Sequence, residues 1–340
     1  MSTMSQHSVK RLTTRRQALQ ILALGGAGAL TWRLAASHPQ RFQSVRRSRT
    51  MMGTYVELTI VGEDREACAA AADATLDRMA ALEGSLSRYS PDSELSVLVR
   101  DGRLSNASDG LLDVLGLARQ VSDWGDGAFD ITVQPVLDLY ASVPSGSLPH
   151  DDAIEQALTR VDNQAIQVEG STVTLDRPDL RITLDGIGKG YIVDQGVAML
   201  RSRGFTNVFL DAGGDLIAGG EKMTGDPWRI GIRHPRGQAL QARFDARNRA
   251  VATSGDYMQP YSKDYSAHHI VDPRTGRSTP ELASSTVLAP SAAQADALAT
   301  LTMVLGPVKG RELIETLPDC EGYFVSKDLS VTRTSGFAII

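Results

Sequence analysis

Residues 290–307 read PSAAQADALATLTMVLGP, the stretch with the least ambiguous structural signal in the chain. Ser291 is a favoured helix N-cap, Gly306-Pro307 is a stop, and alanines, leucines and Met303 fill the turns between. Asp296 and Thr300 lie four residues apart, so both side chains share one helix face. The rest of that face, Ala292, Ala295, Ala299 and Met303, is small and apolar. A carboxylate and a hydroxyl on a face built for burial cost free energy unless something satisfies them. Both are hard oxygen donors of the kind Mg2+ accepts. An exposed helical Asp with a nearby Thr is an equally ordinary explanation, and spacing alone leaves both open.

Working outward, MGTYVELTIVG (52–62) alternates Tyr55, Glu57 and Thr59 with Val56, Leu58 and Ile60, which predicts a half-buried strand. Asp64 caps a long helix through about Leu86, with Ala72, Leu76, Met79, Leu82 and Leu86 at helical spacing. SRYSPDSELSVL (87–98) reads as a loop, and residues 110–124 as a second helix. Short β-like runs follow at 165–168, 173–175 and 182–184, and then a glycine turn feeds a helix that stops at Gly204. NVFLDAGGDLIAGG, WRIGIRHP and RAVATSG read as further strands. This is an α+β pattern, mostly antiparallel strands with packed helices, and not the βαβ alternation of a doubly wound nucleotide fold.

The net charge of -5 hides an asymmetry, because residues 1–50 carry nine Lys/Arg and no Asp/Glu. The remainder holds 35 - 9 = 26 basic and 40 acidic residues, a balance of -14. That speaks against nucleic-acid binding by the body, since a phosphate-tracking surface needs excess positive charge. In the basic front end, Arg15 and Arg16 precede a run from Ala18 to Leu30 that is mostly apolar and too short to span a bilayer. The pair and the modest run fit a twin-arginine export signal over residues 1–36, which implies a periplasmic protein, or one held at the inner membrane if the signal stays uncleaved. Residues 37–50 read as a basic linker and 51–340 as the functional domain. Two cysteines, Cys68 and Cys320, make neither a disulfide framework nor a zinc motif.

Other motifs are individually weak. LDGIGKGY (184–191) places three glycines around Lys189, without the Walker or dinucleotide spacing. DAGGDL (211–216) is a second close-backbone signal. In AHHIVDPRTG (267–276), adjacent histidines on an extended strand point to opposite faces, so His268 and His269 do not share one ion. A strand end followed by a turn is the simplest reading there.

Taken in order, MGTYVELTI, LSRYSPDSEL, GAFDITVQP, DGIGKGYIVD, DAGGDL, VATSGDY, HHIVDPRTG and AQADALATLTMVLG resemble the ApbE family of FAD:protein FMN transferases. The resemblance runs from about Met52 to Gly306 and into the C-terminal tail, and it implies an ApbE-like, T-fold-related α+β domain. It further implies an enzyme that uses FAD and Mg2+ to place FMN on a Thr or Ser hydroxyl of a target flavoprotein, releasing AMP. Carried over by motif, Met52 and Tyr89 would line the cofactor cleft, Ala128, Phe129, Asp130 and Lys189 would contact FAD, and Ile270 and Val271 would flank it. The Gly186 carbonyl, Asp296 and Thr300 would surround Mg2+, and His269 would be the base. One departure is Thr183, which stands where many members carry Asp, with Asp185 two places later. A FAD pyrophosphatase and a non-catalytic FAD-binding assembly protein are the competing readings. The target would be an exported or membrane-bound flavoprotein, and no nucleic-acid partner is expected.

Overall fold

Arginines that read as a linker turn out to edge a sheet. The computed structural model describes residues 42–144 and 147–340; the predicted export signal (1–36) and residues 37–41 of the predicted linker lie outside the described residues. From Gln43 onward the linker expectation is corrected: β1 (Gln43–Met51) pairs antiparallel with β2 (Thr54–Gly62) along its whole length. Its hydrophobic signal is thin because Arg47 and Arg49 occupy the face that also carries buried Val45 and Met51. Helix α1 (Arg65–Leu86) supplies their partners, Asp73 at 3.0 Å from Arg47 and Asp77 at 2.8 Å from Arg49. Charged side chains on an edge strand also discourage pairing with another chain.

Asp64 caps α1 as expected, accepting from the amides of Glu66 at 2.8 Å and Ala67 at 3.1 Å. The predicted loop at 87–98 is corrected in its second half, where Ser93 caps α2 (Glu94–Asp101). Two buried leucines, Leu95 and Leu98, are too few to announce a helical period in the sequence. The chain continues through β3 (Arg103–Leu104), α3 (Asp109–Trp124), α4 (Gln134–Ser142), α5 (Asp151–Leu158), β4 (Ile166–Glu169) and β5 (Thr172–Leu175). Residues 182–184, expected as a strand, join no sheet; the Thr183 amide donates to the Ile131 carbonyl at 2.8 Å.

Next come α6 (Gly188–Ser202), β6 (Asn207–Ala212), β7 (Leu216–Gly219), β8 (Trp228–Arg233), β9 (Leu240–Ala246), β10 (Arg249–Gly255), β11 (Val271–Asp272) and β12 (Arg277–Ser278). The described chain closes with β13 (Leu282–Ala289), α7 (Ala292–Thr316), β14 (Glu321–Ser326) and β15 (Val331–Arg333). An eight-stranded sheet runs β1-β2-β6-β7-β10-β13-β14-β15, and every neighbouring pair in it is antiparallel.

Period-two alternation sends side chains of the central strands to two different cores. Ile217, Ala250, Ala252, Val287 and Phe324 face α1, α6 and α7, while Leu216, Ala218, Val251, Leu288 and Val325 face the β8–β9 hairpin. Strand β13 is buried along all eight residues, which explains its nearly unbroken apolar and small-residue composition. Each enclosed large aliphatic side chain, Leu58, Ile60 or Leu298 for example, contributes about 1.5–3 kcal/mol of burial free energy. Helix α7 breaks at Gly306, where φ is 78°, as the Gly-Pro signal predicted, and resumes after it. Hydroxyl pairs register α7 on the sheet: Ser285 with Thr302 at 2.7 Å and Ser254 with Thr300 at 3.2 Å. Cys68 and Cys320 are buried and unbridged. Among the described residues no helix is long and apolar enough to cross a membrane.

Candidate functional site

The starts of α6 and α7 meet against the β6–β7 turn. Asp296, in the second turn of α7, is 5% exposed, and its Oδ2 accepts the Gly190 amide at 3.1 Å. Position 190 must be glycine, since a Cβ there would overlap the Ala292 carbonyl oxygen. Lys189 pairs with Asp215, which is 2% exposed and sits in the β6–β7 turn. Gly213 (φ 73°) and Gly214 (φ 109°) make that turn possible, and Asp211 accepts the Gly214 amide at 2.8 Å.

Acids outnumber bases at this junction. Burial alone would lower the Lys189 pKa, but Asp215, Asp296 and Asp211 outweigh it and hold the ammonium charged. Burial first, then the Asp215 charge, pushes Asp296 well above the usual carboxylate range. Asp211 moves the same way, mainly through burial. Three acids thus share one ammonium and Asp296 is pushed toward its protonated form; a bound divalent cation would favour the ionised carboxylate instead. Thr300 adds a hydroxyl close to Gly186: a Cβ at Gly186 would lie 3.1 Å from Thr300 Oγ1 and 3.4 Å from the Phe129 ring. Asp296 and Thr300, with the Gly186 carbonyl, would offer Mg2+ the hard oxygen donors it accepts. Among the described residues no three His, Cys, Asp or Glu side chains converge as metal ligands. This set contains a single carboxylate, with its other donors from a hydroxyl and the backbone.

The adjacent histidines have opposite surroundings. His268 is fully buried, its Nε2 is 3.1 Å from the Thr279 carbonyl, and its Nδ1 accepts the Ile270 amide at 3.3 Å. Its backbone exchanges two bonds with Ser278, at 2.9 and 2.8 Å, so it serves packing. His269 is half-buried with its Nδ1 enclosed and unpartnered, while its amide donates to the Gln259 carbonyl at 3.1 Å. Burial, then His268, lowers its pKa to about 4, so the imidazole is neutral at physiological pH. The charges of Asp185 and Lys189 reach both His269 and Asp296, which puts these two groups in one electrostatic neighbourhood.

The remaining expected contacts divide into rim and floor. Met52 occupies the β1–β2 turn at φ 52°, followed by Gly53 at φ 68°, and its amide donates to Glu83 Oε1 at 2.7 Å. Tyr89 is 73% exposed, with the Arg88 guanidinium 4.1 Å from its ring centroid. Ala128 and Phe129 are buried, and the Asp130 carboxylate is engaged by the amide and hydroxyl of Thr132, at 2.7 and 2.6 Å. Ile270 and Val271 are buried in two different apolar clusters, so their side chains serve the core. Thr183 is buried and its hydroxyl accepts the Asp185 amide at 3.2 Å, leaving the Asp185 carboxylate to pair with Arg88 at 3.1 Å. Sequence reasoning gave no role to Asp211, Asp215 or Arg88 and noted Asp185 only as the acid two places after Thr183; two acids flanking paired glycines were the available signal for the first two.

The fold is that of solved flavin transferases. The Vibrio cholerae flavin transferase ApbE superposes with a TM-score of 0.76 at 28% identity, covering 87% of this chain and 98% of its own. An ApbE protein from Thermotoga maritima gives 0.78 at 26% identity, covering 86% and 97%. The ApbE family model matches residues 52–324, and the chain belongs to that family. Among its relatives are FAD:protein FMN transferases of Klebsiella pneumoniae (33% identical, covering 77% of this chain and 79% of the relative) and Escherichia coli K12 (31%, 77% and 79%).

Proposed function

We propose that this chain is an FAD:protein FMN transferase that moves FMN from FAD to a Thr or Ser hydroxyl of a target flavoprotein as a phosphoester, releasing AMP. Family membership and the names of its relatives support transfer from FAD to a protein. The observation that carries the finer reading is His269: a half-buried imidazole held neutral that shares its charged neighbours with Asp296. An unprotonated imidazole can take the proton of the acceptor hydroxyl as its oxygen attacks the FMN phosphorus and the bridge to AMP breaks. Asp296, Thr300 and the Gly186 carbonyl would hold Mg2+. When bound, that ion would neutralise the pyrophosphate oxygens and the departing AMP. Lys189, kept charged by its acidic neighbours, would add a fixed cation for those phosphates. The exposed ring of Tyr89 offers a stacking surface at the rim, and Phe129 closes the floor at Gly186.

The export reading extends the proposal: Arg15-Arg16, the apolar run after them and the absence of acids from residues 1–50 support twin-arginine export to the periplasm. An exported or membrane-bound flavoprotein is then the acceptor. Incubation with FAD, Mg2+ and a candidate acceptor, followed by mass spectrometry, should find FMN esterified to the partner. Free FMN and AMP without labelling would instead establish a pyrophosphatase, and bound FAD without turnover an assembly protein.

A further inference from the structure

Helices α6 and α7 are joined by a second carboxylate that the proposed chemistry does not use. The first four amides of a helix have no partner within it. In α7, Gln294 N donates to Ser291 Oγ at 3.2 Å, so its own cap side chain serves one of these, while Ala295 N opens the helix's own ladder by donating to the Ser291 carbonyl at 3.0 Å. Two more go to another helix: Ala292 N donates to Asp194 Oδ1 at 2.7 Å and Ala293 N to Asp194 Oδ2 at 2.8 Å. Asp194 projects from α6, so the start of α7 is completed by its neighbour. A carboxylate accepting two amides at a helix N-terminus makes strong, oriented bonds.

The exchange is reciprocal. Asp296, one turn into α7, accepts the Gly190 amide in the first turn of α6. The glycine contact between Gly190 and Ala292 leaves no slack between the two bonds. Sliding α7 away from Asp194 would lift Asp296 from Gly190 and move Thr300 relative to Gly186.

We propose that Asp194 is a positioning residue: by holding the first amides of α7 it fixes α7 against α6, and thereby seats Asp296 on the Gly190 amide and Thr300 beside Gly186. The consequence for cation binding rests on the function proposed above; the consequence for Gly190 does not. Gly190 N–H has Asp296 as its acceptor and makes no bond to Asp194, so its protection reports the seat of Asp296 and not the loss of a cap. Amide hydrogen exchange on the full chain should find Gly190 exchanging at least tenfold faster in Asp194→Ala, with β6 amides unchanged. Asp194→Asn, whose amide oxygen still accepts one bond, should fall between, and it carries the same test if the alanine variant does not fold. Calorimetric titration with Mg2+ alone should show about tenfold weaker binding in Asp194→Ala, and turnover should lose kcat with little change in KM for FAD. Wild-type protection of Gly190 in a folded Asp194 variant would overturn the proposal. Faster Gly190 exchange together with Mg2+ binding that survives Asp296→Ala would support it while removing the Mg2+ assignment.

Discussion

Asp256 and Asp296 are both buried carboxylates near basic side chains, yet they are supplied with charge very differently. Asp256, just after β10, receives two guanidinium bonds from Arg236 at 2.7 and 2.6 Å, with Lys327 Nζ 3.9 Å away. Arg236 also lies 4.1 Å from the Tyr265 ring centroid, and Lys327 donates to the Tyr265 carbonyl at 2.7 Å. Two cations for one acid tie down the loop that leads to His268 and His269. At the helix junction the ratio is reversed, with one ammonium among Asp211, Asp215 and Asp296. A buried charge is tolerated when it is paired and hydrogen-bonded. The first region is therefore complete as folded, whereas in the second the acids outnumber the ammonium and Asp296 is pushed toward its protonated form. That difference separates a strut from a site.

The largest effect that would break this comparison belongs to Asp296. Asp296→Ala should lower FMN transfer about 10^3-fold, while thermal unfolding without added cation moves by less than about 1 kcal/mol, because removing an under-compensated carboxylate offsets the lost bond to Gly190. A large stability loss with turnover intact would make this second region a strut as well. Asp256→Ala should do the reverse. Leaving Arg236 without its partner should cost about 3 kcal/mol in denaturant unfolding. Turnover under conditions where the variant is folded should fall far less than for Asp296→Ala.

The sequence made the second region harder to see than the fold around it. Helices α1, α3 and α7 are long and periodic enough to be read directly, and so are β2 and β10. Helix α2 has two buried positions, and β1 hides its pairing behind arginines whose partners lie on α1. Residues 182–184 carry β-like composition but meet a loop at Ile131 rather than a strand. Within the candidate site, His269 became a candidate through eight weak motifs occurring in one order, and Asp296 through that order and its small, apolar helix face. Asp215 looked like a turn residue after two glycines, and Asp194 like an ordinary mid-helix acid. Neither shows its partner until α6, α7 and β6–β7 are brought together, since those contacts span from 26 residues between Lys189 and Asp215 to 99 between Asp194 and Ala293.

The histidines sharpen the same contrast at a single peptide bond. His268 belongs to the completed region, where both ring nitrogens have partners and the charges of Lys327, Asp256 and Arg236 act on it. His269 belongs to the uncompensated one. His269→Ala should reduce transfer about 10^2-fold with little effect on unfolding, whereas His268→Ala should act mainly on stability. A smaller signature follows from linkage. His269 titrates at about 4 in the folded chain against 6.5 for the ordinary side chain, so between those values the unfolded state binds more protons. Its contribution to stability is whole above about pH 6.5 and is lost as pH falls toward 4. His269→Gln should therefore flatten part of the stability decline across that window when urea unfolding is compared with wild type at successive pH values. An unchanged slope would mean that the ring is hydrated in the folded protein and that its enclosed Nδ1 does not keep it neutral.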